Sequence, residues 1–347
     1  MLPTFYVALL FFAILANQGV IKGDTECPTV STVGDRRSSK SSLRLVQYNV
    51  EWLFVDYYGG SDCPGNGCTW HTISDAETHM GYVADVINDL KPDILNLCEV
   101  EGCDELHMLR DMLDPTYNVY LKKGTDTGTG QNVGLVTKVD PLVSLYRTEE
   151  KVAYPILGTK CGQTSAQGTQ GVSKHYITEY RLGSMDIALI GAHLLAIPTE
   201  PSRCVQREAQ AQVLQNVIYS YIQKGYEVIV MGDMNDFDAE VPDLNADKPT
   251  SRVLDFLKGL DGEKKGQYQL TNMAGKMAQN ERYSDWYDSD NNCNTTSVKD
   301  YSMIDHVLIS PKLTKYVGSV SIYHGYKEYC GKWNSDHYPV VIDFINL

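Results

Sequence analysis

Tyr301-Ser302-Met303-Ile304-Asp305-His306-Val307-Leu308-Ile309-Ser310 is followed, one strand-like segment later, by Asn334-Ser335-Asp336-His337-Tyr338-Pro339-Val340-Val341. Twice, an aspartate next to a histidine sits where an apolar strand begins or ends. A paired aspartate holds one imidazole tautomer and stabilises its protonated form, as general acid–base chemistry requires. A further aspartate beside the histidine offers hard oxygen to a divalent cation.

Upstream, other polar clusters also close apolar runs. Gln47-Tyr48-Asn49-Val50-Glu51-Trp52 places Asn49 and Glu51 two apart, on one face of a strand. In Asn96-Leu97-Cys98-Glu99-Val100-Glu101, Glu99 ends an apolar strand, where a carboxylate is costly unless a metal or hydrogen bonds compensate it. Gly191-Ala192-His193-Leu194 leaves a histidine at a strand end. Val230-Met231-Gly232-Asp233-Met234-Asn235 delivers a carboxylate and an amide to one side of a tight turn, a pair able to orient a water and a phosphoryl oxygen. Taken singly, each cluster has a plain structural reading as a cap, a loop or a turn.

Between these clusters the periodicity reads as alternating strands and helices. Strands are expected at 43–50, 93–98, 132–137, 175–181, 185–193, 227–232, 303–309, 317–323 and 339–344. Met80, Val83, Ala84, Ile87 and Leu90 follow helical spacing until Pro92, Asp104 to Leu113 reads as helix, and Pro201 to Gln223 is the longest helix candidate. Leu182-Gly183-Ser184 reads as a hairpin turn, and the polar stretch Asp261 to Lys299 as surface loops. With no composition break, the pattern favours one α/β domain over 43–347, with a sheet-on-sheet core flanked by helices.

The chain has 347 residues, 43% hydrophobic and 21% charged, an ordinary globular balance. Phe5 to Ala16 is an uncharged apolar run, too short for a membrane span and of signal-peptide length. Residues 1–23 therefore read as a signal peptide and 24–42 as a linker, which places the mature chain outside the cell or in an endolysosomal compartment. The rival reading is an uncleaved anchor. Nine cysteines fit an oxidising compartment. Candidate pairs are Cys63 with Cys68, Cys98 with Cys103, Cys161 with Cys204 and Cys293 with Cys330, which leaves Cys27 over. Asn294-Thr295-Thr296 is a glycosylation sequon. A net charge of −14 argues against bulk binding of nucleic acid, unless part of it belongs to carboxylates that hold a metal.

Taken together and in order, Tyr-Asn-Val-Glu, Cys-Glu-Val, Gly-Ala-His-Leu, Gly-Asp-Met-Asn, Ile-Asp-His-Val and Ser-Asp-His-Tyr-Pro-Val resemble the endonuclease/exonuclease/phosphatase superfamily. That superfamily includes deoxyribonuclease I, abasic-site endonucleases and neutral sphingomyelinases. The resemblance spans Leu43 to Phe344 and implies a four-layer α/β sandwich of two central mixed sheets faced by helices. It implies that Asn49, Glu51, Glu99 and Asp336 hold Mg²⁺, with Mn²⁺ as a substitute. It implies that His193 contacts the scissile phosphate and, if charged, stabilises it. Asp233 and Asn235 would position water and phosphate, and Asp305 would orient the catalytic His337. Arg282 and Tyr283, ahead of the Asp-His strand, resemble substrate-binding positions of secreted nucleases. The implied activity is metal-dependent hydrolysis of phosphodiesters in DNA or RNA, by a monomer with no stable membrane association.

Two departures bear on the substrate. Deoxyribonuclease I carries an arginine two residues after its metal-binding glutamate, where this chain has Glu101. It also pairs its upstream histidine with a glutamate, for which no match lies between Lys122 and Asp140. One rival function is a secreted sphingomyelinase-like phosphoesterase with the same reacting residues, since fold and core do not decide substrate. Another is an inactive binding protein or effector, which a complete set of site residues disfavours. The Asp/Asn-rich run Asp285 to Asn294 could bind structural Ca²⁺, but a solvated loop is the favoured reading.

Overall fold

The computed structural model describes residues 26–347 except 32, 56–69, 71, 163–164, 289–291, 293, 295 and 327–333. The signal-peptide segment, Cys63, Cys68, Cys293 and Cys330 therefore lie outside the described residues.

The N-terminal half contains β1 (Ser42–Leu53), α1 (Ile73–Leu90), β2 (Ile94–Val100), α2 (Cys103–Asp111), β3 (Asn118–Leu121) and β4 (Asn132–Thr137). A small ribbon, β5 (Val152–Tyr154) with β6 (Gly168–Gln170), precedes the hairpin β7 (Lys174–Leu182) and β8 (Met185–His193). Then come α3 (Pro201–Gln223), β9 (Glu227–Asp233), α4 (Val253–Lys258) and β10 (Thr271–Asn272). The chain ends with β11 (Asp285–Trp286), β12 (Tyr301–Ser302), β13 (Asp305–Ile309), β14 (Val317–Ile322) and β15 (Val340–Ile345).

Two mixed sheets form the centre. One is six-stranded, in the order β14-β15-β1-β2-β4-β3, and the other five-stranded, β10-β13-β9-β8-β7. Period-two alternation sorts every central strand between two cores. Leu43 and Leu45 of β1 join Leu189 of β8 and Met231 of β9 in the layer between the sheets. Val46, Tyr48 and Val50, the alternate residues of β1, pack under α1 and α2 instead. Ile190 and Val230 pack under α3 and α4. Burial of each such aliphatic side chain contributes roughly 1.5–3 kcal/mol, so strands covered on both faces read as nearly continuous apolar runs. The result is the expected four-layer sandwich, and among the described residues no helix is long and apolar enough to cross a membrane.

The helix and hairpin expectations hold, with Gly183 at φ 59° in the turn joining β7 to β8. Two expectations need correction. The first concerns cysteines: Cys161 bonds Cys204 as expected, but Cys103 bonds Cys27, and Cys98 is free and buried. Cys98 points from β2 into the layer between the sheets, whereas Cys103 opens α2 on the outer side. Five residues of separation do not bring them together, because they face different layers.

The second concerns 261–299, which is only partly surface: Leu270, Met273, Ser284 and Trp286 are buried. Polarity misleads here because hydrogen bonds tie the segment and its flanks to residues 242–247; Gln279 Nε2 donates to the Asp243 carbonyl at 2.8 Å. The Asp243 carboxylate accepts from the backbone N–H of Asp247 at 2.9 Å and of Met303 at 3.3 Å. Asn245 donates to the carbonyls of Val298 and Tyr301, and Arg282 to those of Met277 and Pro242.

Burial and the neighbouring Asp243 push the Asp247 carboxyl up to about 6. A folded-state pKa above the unfolded one adds stability that is complete below about pH 4 and is lost as pH rises through about 6. Asp247→Asn should therefore flatten that slope and raise stability above pH 7 by about 1 kcal/mol, a figure discounted for partial solvent exposure. Urea unfolding of both proteins between pH 4 and pH 8 checks this, and parallel curves would reject it.

Candidate active site

The second sheet carries one row of inward-facing side chains at one end. Asp305 of β13 is the register partner of Asp233 on β9, Asp233 that of His193 on β8, and His193 that of Lys174 on β7. The first sheet presents Gln47 and Asn49 from β1 and Asn96 and Cys98 from β2, with Asn49 opposite Cys98 in register. Ser335 to His337 arrive from the approach to β15. Sequence clusters hundreds of residues apart meet because each ends a strand at the same edge.

His337 sits at the centre. Its Nδ1 donates to Asp305 Oδ2 at 2.7 Å. Asp305 also accepts from Ser284 Oγ at 2.9 Å and from Gln47 Nε2 at 3.0 Å, so its orientation is over-determined. Asn49 Nδ2 lies 3.3 Å from the other ring nitrogen, Nε2. Carboxylate oxygens of Asp285, Asp336 and Asp233 stand 3.6, 3.8 and 4.0 Å from it. Burial opposes a charge on the ring, but Asp305, Asp336 and Asp285 outweigh it and raise the His337 pKa well above the usual histidine range. Tyr326 Oη donates to the His337 carbonyl and fixes its backbone.

Asp233 is 2% exposed, and burial, reinforced by the charge of Asp305, pushes its carboxyl up to about 7. Its oxygens accept from Asn235 N at 2.9 Å and from Asn49 Nδ2 at 3.0 Å. The turn that carries this pair depends on Gly232, at φ 153°, where an added Cβ would lie 1.7 Å from the carbonyl oxygen of Ala192. Asn235 follows at φ 50°, a left-handed conformation that asparagine tolerates.

The four expected metal ligands converge beside this row. The β1–β2 register shifts between Asn49 and Leu53, and Glu51, Trp52 and Glu99 adopt φ of 47°, 53° and 68°. These breaks in the strands bring the Glu99 carboxylate to Asn49 and that of Glu51 to the backbone of Asp336. Glu99 accepts from Asn49 Nδ2 at 3.3 Å and from Trp52 N at 3.1 Å, and Glu51 accepts from Asp336 N at 3.1 Å. Burial, then the charge of Glu51, raises the Asp336 pKa well above the carboxylate range. Among the described residues, neither Glu99 nor Asp336 has a lysine or arginine within 4.0 Å. Mutually repelling oxygen ligands of this kind fit a hard divalent cation. Asp285, Asp336 and His337 also offer ligand atoms within 4.8 Å of one another.

Several residues here carry no signal that single-cluster reading could catch. Ser284 and Asp285 fall in the polar stretch 261–299, where Asp285 reads only as the start of a candidate Ca²⁺ run. Lys174 lies one residue before the strand expected at 175–181, yet its Nζ lies 3.3 Å from His193 Nε2 and donates to Gln131 Oε1 at 3.1 Å. No glutamate pairs with His193 from 122–140; Gln131, through Lys174, occupies that side. Burial, with Lys174 and His337 nearby, lowers the His193 pKa well below the usual range, so this ring is neutral rather than a source of positive charge. The structure does not bring Arg282 into the cluster, since its guanidinium is bound to backbone carbonyls. The Tyr283 ring stacks on His324 at 3.7 Å between centroids and packs edge-on against Tyr338. Glu101 turns its carboxylate to Val55 N at 3.0 Å.

Behind the row, α3 ties two site loops together. Fully buried Arg207 donates to the carbonyls of Leu195, Ile197 and Pro198, just beyond His193. Its Nε reaches Asp236, next to Asn235, at 3.4 Å, and Ser251 Oγ donates to the same carboxylate.

A paired histidine, a desolvated aspartate and a separate oxygen-rich ligand set are the parts of a hydrolytic phosphoester site. The profile of the Endonuclease/Exonuclease/phosphatase family matches residues 46–337. The chain belongs to this family. Family members are hydrolases acting on phosphoester bonds, and they generally depend on a divalent metal. Among solved structures, a 3′ phosphatase, NExo, from Neisseria bound to a product DNA hairpin is 14% identical, covering 87% of this chain and 99% of that one, with a TM-score of 0.55. A family protein from Bacteroides vulgatus is 15% identical over 88% of this chain and 99% of its own, at a TM-score of 0.53. Truncated TDP2 from Caenorhabditis elegans is 17% identical over 88% of this chain and 97% of its own, at a TM-score of 0.49. At such identities the first two likenesses establish the fold. No curated protein matches the chain in sequence.

Proposed function

We propose that this family member is a secreted phosphodiesterase that cleaves nucleic acid with Mg²⁺ held by Asn49, Glu51, Glu99 and Asp336. The observation that carries the reading is the 2.7 Å His337–Asp305 pair set in one row with Asp233, directly opposite those ligands. Mg²⁺ held by these four residues would supply positive charge to the phosphoryl oxygens. Asp233 and Asn235 hold a water in line with phosphorus, and Asp233 takes its proton as the new P–O bond forms. The bond to the leaving oxygen breaks on the opposite side, and His337 donates the proton that oxygen needs. The DNA hairpin in the Neisseria relative supports nucleic acid as the substrate class. Two disulfides and an exposed Asn294 in the sequon support secretion and glycosylation.

The test presents purified protein with supercoiled plasmid, single-stranded DNA, RNA and sphingomyelin, each with Mg²⁺ or EDTA. We expect cutting of a nucleic acid that falls at least ~100-fold in EDTA and returns with Mg²⁺ or Mn²⁺. Cleavage of sphingomyelin with every nucleic acid intact would move the protein to the lipid branch. Undiminished cutting in EDTA would refute the metal.

A further inference from the structure

The inward-facing row does not stop at His193. β7 is the edge strand, and its first residue, Lys174, extends the row by one strand as the register partner of His193. Lys174 shares its face of β7 with Tyr176 and Tyr180, both in the layer between the sheets. Along one end of the sheet the order is therefore Lys174, His193, Asp233, Asp305.

Lys174 is only 6% exposed, and burying an ammonium costs several kcal/mol unless partners compensate it. Its compensation is thin. Nζ donates to the Gln131 amide oxygen at 3.1 Å and lies 3.3 Å from His193 Nε2, which a neutral ring offers as an acceptor. Among the described residues, the one carboxylate within 4.0 Å is that of Asp126, at 3.9 Å, beyond hydrogen-bond reach. An ammonium has three N–H donors, and the described residues accept two of them. The buried lysine on α4 shows the contrast: Lys258 Nζ is met by carboxylates of Asp238 at 2.7 Å and Glu240 at 2.8 Å. Carboxylates meet Lys258 directly, whereas those of Glu99, Asp126 and Asp233 act on Lys174 from beyond hydrogen-bond reach and only partly offset the lowering of its pKa by burial.

We propose that Lys174 contacts the substrate, its ammonium binding a charged non-bridging oxygen of the phosphoryl group from the end of the row opposite Asp305 and His337. This rests on the phosphodiesterase reading above and adds to it a resident cation that selects an anionic ester. In-line attack increases the charge on the non-bridging oxygens, and an ammonium already held in a water-poor site stabilises that charge without reorganising. Gln131 and His193 would then act as positioning residues for Nζ.

The experiment compares Lys174→Met and Lys174→Arg with wild type on a chromogenic aryl phosphodiester and on its uncharged methylphosphonate analogue. Loss of one such donor predicts a roughly 100-fold fall in kcat/KM on the diester for Lys174→Met, recovered to within about tenfold by Lys174→Arg. The uncharged analogue should change less than about threefold, because it lacks the oxygen that Lys174 binds. Equal losses on both esters would mean that Lys174 merely balances the neighbouring carboxylates, and would overturn the proposal. So would a Lys174→Met enzyme that keeps its rate on the diester. Should that variant not fold, Lys174→Gln replaces it. If wild type cuts the diester but no nucleic acid, the substrate reading fails while the Lys174 comparison still decides. If wild type hydrolyses nothing, calorimetric binding of inorganic phosphate with Mg²⁺ decides: at least ~10-fold weaker binding in the variant upholds the assignment, and equal or absent binding overturns it.

Discussion

Replacing His337 with alanine is expected to lower kcat for phosphodiester cleavage by roughly 10³-fold, with KM changing less than about threefold. The ring is positioned to give a proton to the leaving oxygen, and the carboxylates around it favour its charged form. Its Nδ1 is anchored on Asp305, and three carboxylates surround Nε2. Removing it deletes a transition-state interaction but little ground-state binding, so the loss belongs in kcat. Asp305→Asn should lose activity in the same direction, because an amide neither holds the Nδ1–H tautomer as firmly nor supports the imidazolium. Steady-state kinetics on a single defined substrate check both variants. An alanine variant within threefold of wild-type kcat would remove His337 from the chemistry.

Arg207→Ala should produce the largest loss of stability, about 4 kcal/mol, measured as a shift in the urea unfolding midpoint. The guanidinium is fully buried, and it serves the Leu195, Ile197 and Pro198 carbonyls together with Asp236. Its removal takes a donor from each carbonyl, leaving Ile197 with Glu200 N and Pro198 with Thr250 Oγ1, and among the described residues leaves the buried carboxylate with the Ser251 and Phe237 donors. Burial already raises the Asp236 pKa despite Arg207, so loss of Arg207 shifts it further in the same direction. Arg207→Lys keeps the charge but not the fan of donors, and should recover less than half of the loss. Since the two tied loops follow His193 and Asn235, activity should fall alongside stability. A midpoint shift worth less than about 1 kcal/mol would show that the loops hold themselves.

Much of the fold was legible because alternation and helical spacing are local. Pro201 at the start of α3, Gly183 in the hairpin and the apolar runs of β2, β8 and β9 act through neighbouring residues. The site residues that close those runs were legible for the same reason. An Asp, Asn or His at the end of a buried strand stands out against its apolar background. Ser284 does not stand out, because it lies in a polar segment tied by hydrogen bonds to Pro242, Asp243 and Asn245, some forty residues upstream, and Asp285 reads only as the start of a candidate Ca²⁺ run. Arg282, beside them, looked like a substrate contact, yet its donors are taken by carbonyls that only folding brings near. The Cys98 and Cys103 pair failed because proximity along the chain says nothing about which layer each residue faces.

From the sequence alone came the strand and helix order, the family resemblance, and the identities of Asn49, Glu99, Asp233, Asp305, Asp336 and His337 as the polar ends of apolar strands. These depend on periods of two and 3.6 residues, which a chain displays before it folds. The tertiary structure alone decided which strand ends stand side by side. Cross-strand register aligned Lys174 with His193, Asp233 and Asp305; burial between two sheets made one imidazole neutral, while the carboxylates gathered around the other overcame its burial and made it charged. Register and dielectric are properties of the assembled sheets, and no single segment carries them.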